Sequence, residues 1–155
     1  MSLPKSISEA AHVCVALYWR GGRPATAAQL ARYAGISESY LHKILAALVR
    51  AEIVESSRGH GGGYVLADLS GGQSLLTIAR ALGLKLDAAP APGLYHHTDL
   101  VTSCFIDRAL DDSLDHARRA LRRHTIASLS LSLRDPRLGG RPDIVEAFTR
   151  RFDRL

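Results

Sequence analysis

The chain has 155 residues, 46% of them apolar, with a formal net charge of +5 and an isoelectric point near 9.6. That length provides one domain, or one domain with an extension. No stretch is long and apolar enough to span a bilayer, and the longest early apolar run, 13–19, is too short for a secretory signal. A cytoplasmic protein whose two cysteines, Cys14 and Cys104, stay reduced is therefore expected.

Ile7, Ala10, Ala11, Cys14, Leu17 and Tyr18 recur at helical spacing and predict a first helix over 7–19. Gly21 and Gly22 end it, and Pro24 delays the next. Thr26 with Gln29 has the Thr-x-x-Gln form of a capping box, opening a second helix with Leu30, Ala31 and Ala34 inward. Gly35 suits a left-handed stop, and Ser37 suits the cap of a third helix. That third helix carries Leu41, Ile44, Leu45 and Leu48 on one face. Two short helices joined by a three-residue turn containing glycine match the helix-turn-helix plan.

Two β-prone runs, 53–57 and 64–67, flank Arg58-Gly59-His60-Gly61-Gly62-Gly63. Consecutive glycines suit a tight hairpin, because glycine reaches positive φ without a Cβ clash. Ser74 then caps a fourth helix with Leu75, Ile78, Ala79 and Leu82 apolar. The fold class is mainly α: a winged helix-turn-helix of three helices, a β-hairpin wing and a fourth helix, over residues 1–86. Nine Lys/Arg against five Asp/Glu fall in that part, and eleven against ten in the remainder. The positive excess thus sits with the putting-forward of a wing and a recognition helix, which permits a nucleic-acid partner there.

Residues 87–102 are rich in Pro, Ala and Gly at their start and are expected to form a linker. A long helix is predicted over 103–132, within a dimerisation segment 103–133. Ile106, Leu110, Leu114, Ala117 and Leu121 form a narrow stripe close to a coiled-coil seam. Its exposed residues are acidic first (Asp107, Asp111, Asp112, Asp115) and basic later (Arg118, Arg119, Arg122, Arg123), which suits the helix macrodipole and an antiparallel crossing with a second copy. Residues 134–155 are expected to give a loop, then a short amphipathic helix burying Ile144, Phe148 and Phe152.

The stretches 35–45 (Gly-Ile-Ser-Glu-Ser-Tyr-Leu-His-Lys-Ile-Leu) and 56–67 (Ser-Ser-Arg-Gly-His-Gly-Gly-Gly-Tyr-Val-Leu-Ala), with the helix of 74–83, resemble the bacterial winged-helix transcriptional regulators that include IscR, NsrR and CymR. The likeness covers about residues 7–130. It implies a homodimer on a partly palindromic operator, with the third helix in the major groove, the wing in the minor groove, and repression as the usual outcome. The DNA-binding residues it points to are Ser37, Ser39, Tyr40, His42, Lys43, Arg58, Gly59 and His60. Ser37, Ser39 and Tyr40 lie in the first turn of a helix, where free amides face phosphates; Tyr40 can equally pack on the first helix. His42 stands where the family often has a glutamate, an acceptor for a cytosine amino group, so a different operator is implied. Arg58 is placed to enter a narrow minor groove, the alternative being an ion pair with Glu55. Gln29 and Arg32 are secondary contacts to the DNA backbone.

Relatives that hold an iron–sulfur cluster place three cysteines between the post-wing helix and the long helix. This chain has Cys104 alone there, so no such site, and no other cofactor, is expected. A mixed site from His96, His97 and Cys104 is the weaker metal reading. Cys104 near a helix start is a possible thiol sensor, because the helix dipole lowers a thiol pKa there. No Ser/His/Asp, phosphate-loop or dinucleotide pattern marks an enzyme. A protein-interaction adaptor that keeps the fold without binding DNA is the alternative to a regulator.

Overall fold

The computed structural model describes residues 3–59, 61–86, 105–138, 140–143, 145, 146 and 150, with the side chains of 105–108 and 138 excepted. The first helix, α1 (Lys5–Trp19), is the core of the molecule. Val13, Cys14, Ala16 and Leu17 are shut away from solvent, and α2, α3, α4 and the last helix all pack against α1.

Local caps set the next elements. Thr26 and Gln29 form the reciprocal capping box that starts α2 (Ala27–Ala34): Gln29 N donates to Thr26 Oγ1 at 3.2 Å, and Thr26 N donates to Gln29 Oε1 at 2.9 Å. Gly35 closes α2 in the left-handed region at φ 66°, and Ser37 caps α3 (Glu38–Arg50). Leu41, Ile44, Leu45 and Leu48 are buried as the stripe requires. Past the end of α3, Glu52 is a non-glycine residue at φ 56°, and Ile53 N donates back to Leu48 O at 3.0 Å.

Strands β1 (Val54–Ser57) and β2 (Gly63–Leu66) pair antiparallel in the register Val54↔Leu66, Glu55↔Val65, Ser56↔Tyr64 and Ser57↔Gly63. Ala25 adds a one-residue bridge to Tyr64, which ties the wing base to the entrance of α2. Ser74 caps α4 (Leu75–Ala81), where Leu76 is buried along with Ile78 and Ala79.

Beyond residue 104 the chain departs from expectation. The single helix predicted over 103–132 is two helices, α5 (Phe105–Arg123) and α6 (Ile126–Arg134), broken at His124–Thr125. Thr125 caps α6 with Ser128 in a second capping box. The break is fixed from outside as well: Leu75 N donates to His124 O at 2.8 Å, Ile126 N to Gln73 O at 3.0 Å, and Ala127 N to Gly71 O at 3.0 Å. The physical reason is burial. Ile126 is 0% exposed within the same cluster as α1 and α3, so α6 belongs to the head rather than to a protruding rod. The Trp19 indole donates to Ser130 Oγ at 2.5 Å, and the Arg134 guanidinium lies 5.9 Å from the Trp19 ring centroid.

Arg118, expected on the exposed basic face of α5, is instead half-buried. Its Nε donates to Leu86 O at 2.8 Å, which fastens α5 to the end of the head. Residues 136–138 form a single 3-10 turn in the expected loop. The linker 87–102 and the helix ascribed to Ile144, Phe148 and Phe152 lie outside the described residues, apart from a few positions.

Candidate nucleic-acid interface

The exposed face of α3 consists of Glu38, Ser39, His42, Lys43, Ala46 and Arg50, with Tyr40 at its margin. At its start, Tyr40 N donates to Ser37 Oγ at 3.3 Å, and Leu41 N donates to Ser37 O at 3.0 Å. The amides of Glu38 and Ser39 precede the first intrahelical bond and point out of the helix end. The Ser37 and Ser39 hydroxyls lie 3.3 Å apart. Ser37 is therefore first a cap, and Ser39 carries the exposed hydroxyl.

Tyr40 sits on the seam between α3 and α1, 36% exposed. Hydrogen bonding to Glu9 raises its hydroxyl pKa, with burial and the Glu9 charge adding and Lys5 opposing, so the phenol remains a donor. Glu9 is a buried carboxylate whose Oε1 lies 3.2 Å from Lys5 Nζ. The two readings of Tyr40 thus meet: it leans on α1 and still presents an edge to solvent.

His42 Nε2 lies 3.7 Å from Glu38 Oε1, one turn back, with both side chains about half exposed. Such an exposed pair exchanges readily with other partners. Lys43 is exposed and has no ion-pair partner among the described residues.

Arg58 and Gly59 stand exposed beyond β1. The ion pair with Glu55 is not formed, and Arg58 has no partner among the described residues. The glycines behind it are needed for closeness. A Cβ on Gly62 would lie 2.5 Å from Ser57 O, and one on Gly63 would lie 2.7 Å from Ala25 O. His60 lies outside the described residues, as do His96, His97 and Cys104. On α2, Arg32 is exposed, whereas the Gln29 carbonyl is committed to the capping box, leaving its amide nitrogen as the group free to donate.

One region escaped the sequence reading. Ser6, Tyr40, Lys43, Ile44, Ala47 and Arg50, closed by Ala81, Leu82 and Gly83 at the end of α4, enclose a groove of about 440 Å³. The seven-residue spacing of Lys43 and Arg50, two cations on one side of a helix, is the signal a sequence reading had to use to find it.

Comparison with known proteins fits this geometry. The Rrf2 family, described as an iron-dependent transcriptional regulator, matches residues 3–131. The chain belongs to the Rrf2 family. It is a transcriptional regulator of that family, as is reflected in a relative named as the HTH-type transcriptional regulator BadM of Rhodopseudomonas palustris. That protein is 33% identical over 132 residues, which cover 83% of this chain and 81% of the relative. Among solved structures, CymR, the global cysteine regulator of B. subtilis, superposes with a TM-score of 0.69 at 21% identity, covering 84% of this chain and 96% of CymR. T. potens IscR gives 0.63 at 21% identity, covering 83% and 85%. At that identity the structural likenesses carry the fold: a helical body with one two-stranded wing.

The family description names iron, and this chain has two cysteines. Cys14 is fully buried in α1, and burial pushes its thiol up to about 12, away from the thiolate that a metal takes as ligand. Cys104 is the remaining cysteine in the sequence. Among the described residues no group of three or more His, Cys, Asp or Glu side chains is arranged to hold a metal ion. A three-thiolate cluster site does not fit this chain. Among the described residues, no helix is long and apolar enough to cross a membrane.

Proposed function

We propose that this Rrf2-family regulator acts as a homodimer that binds a partly palindromic duplex operator and represses transcription. In this reading α3 enters the major groove with Ser39, His42 and Lys43 toward the bases and phosphates, and Arg58 enters the minor groove from the wing. Ser37, Tyr40, Gly59 and His60 support those contacts. The observation that carries the reading is Arg58: an exposed guanidinium, unpaired among the described residues, on a glycine-tipped hairpin beside the exposed face of α3. Dimerisation is supported by α5, where Leu110 is 48% exposed on the stripe that continues through Leu114, Ala117 and Leu121. The proposed signal is oxidation of Cys104, because the other thiol, Cys14, is enclosed in the core.

The test is fluorescence anisotropy on the chain's own upstream DNA, with Arg58→Ala beside the wild type, repeated after oxidant treatment and with Cys104→Ser. Arg58→Ala should weaken operator binding by about 1–3 kcal/mol while the dimer elutes unchanged. An unaltered affinity removes the wing from the interface. An oxidant response that survives Cys104→Ser removes the thiol signal.

A further inference from the structure

We infer that the groove between α3 and the end of α4 seats the phosphodiester backbone of DNA, with Arg50 and Lys43 as its charged posts and Ser6 as its hydroxyl donor. The inference rests on the DNA-binding reading above and extends it to a flank of α3 that no sequence motif marks.

Four observations carry it. Lys43 and Arg50 lie seven residues apart on one helix, two turns and about 10.5 Å of rise, so both face the same side. Neither has a partner among the described residues, whereas Lys5, Arg118, Arg141 and Arg150 are each paired with a nearby carboxylate. The described lining holds no carboxylate. Glu9, the carboxylate on α1 that Tyr40 meets, is already paired with Lys5, and Lys85, beyond α4, is exposed. Ser6 and Tyr40 line the same space; the Tyr40 O–H is turned to Glu9, so Ser6 carries the hydroxyl left to donate there.

The shape selects a strand rather than a single ion. Two cations spread over two helical turns, on mobile stems at the edge of an open groove, match a repeating line of charges better than one compact anion. Lys43 also belongs to the exposed face of α3 that carries Ser39 and His42. The groove therefore continues that face sideways, from the base edges toward the backbone that borders them. The bland role for Arg50 is a cation that stabilises the C-terminal end of α3; salt dependence of DNA binding separates the two.

The experiment uses full-length Arg50→Gln, Arg50→Lys and Ser6→Ala. Their affinity for the operator and for an unrelated duplex is read by anisotropy across a salt series. A phosphate contact predicts that Arg50→Gln weakens both duplexes by the same factor. It also predicts that the slope of log K against log salt falls by about one per protomer, so about two for a dimer. Arg50→Lys should restore the slope, and Ser6→Ala should weaken both duplexes with the slope kept. An unchanged slope in Arg50→Gln beside a steep wild-type slope overturns the groove while leaving the wing reading intact. A wild type with no salt-dependent duplex binding overturns both. Inorganic phosphate binding to the wild type and not to Arg50→Gln, with duplex affinity the same in both, would reassign the groove to a free anion and also overturn the inference.

Discussion

Gly63→Ala is the sharpest probe of how the wing is mounted. Its added Cβ would sit 2.7 Å from Ala25 O and 2.9 Å from Ala25 C, and both are backbone atoms that cannot swing aside. Relief requires β2 to draw away from Ala25, which breaks two backbone bonds: Tyr64 N to Ala25 O at 2.8 Å, and Ala25 N to Tyr64 O at 3.0 Å. At a net contribution of about 1 kcal/mol per hydrogen bond, the loss is about 2 kcal/mol. For a chain of 155 residues, that corresponds to a drop in melting temperature of about 4–8 °C. The hairpin itself can survive, because the pairing of β1 with β2 is untouched. The assay is a circular-dichroism melt alongside anisotropy on operator DNA. Binding should fall by as much as in Arg58→Ala, since the arginine loses its fixed platform. A melting temperature within about 1 °C of wild type would show that Ala25 does not hold the wing, and the mounting argument would be wrong.

Two other outcomes follow from the core. Ile126→Ala should cost about 2–5 kcal/mol in urea unfolding, because its side chain is fully enclosed beneath α1; a cost near zero would mean that α6 is an appendage after all. Alkaline stability should decline in a defined window. Burial raises both Cys14 and Tyr33 to about 12, from ordinary values of 9.0 and 10.0. Each folded-state pKa exceeds its unfolded value, so the stabilisation is whole below 9.0 and is lost as pH climbs toward 12. The urea midpoint should be level up to that window and fall within it, and Cys14→Ala should shrink the first part of the fall. Rapid labelling of Cys14 by a thiol reagent in the native protein would contradict its enclosure.

The head was legible because its boundaries are written in short-range chemistry. Thr26 with Gln29, Ser37, Gly35 and Ser74 each act within four residues of themselves, and the structure uses them as expected. The corner at His124–Thr125 obeys the same local grammar, through Thr125 and Ser128. It was missed because an unbroken apolar stripe through Leu121 reads as one helix, and Ser is a weak form of the capping-box partner. The rest is tertiary. Nothing near Trp19 announces Ser130, 111 residues away, and nothing near Arg118 announces the Leu86 carbonyl. At the proposed interface, residue types were readable and their competing commitments were not: Gln29 spends its carbonyl on a cap, and Tyr40 answers to Glu9.

The docking of α6 beneath Trp19 changes what a dimer contact can transmit. If α5 hung from a slack tether, the two heads of a pair would drift independently, and a twist between the partners would be lost in the slack. Here the elbow at Thr125 is bolted to the head by backbone bonds on one side and by Trp19 on the other. In the proposed dimer, a few degrees of scissoring between paired α5 helices would be carried through that elbow as a lever carries a turn, resetting the span between the heads.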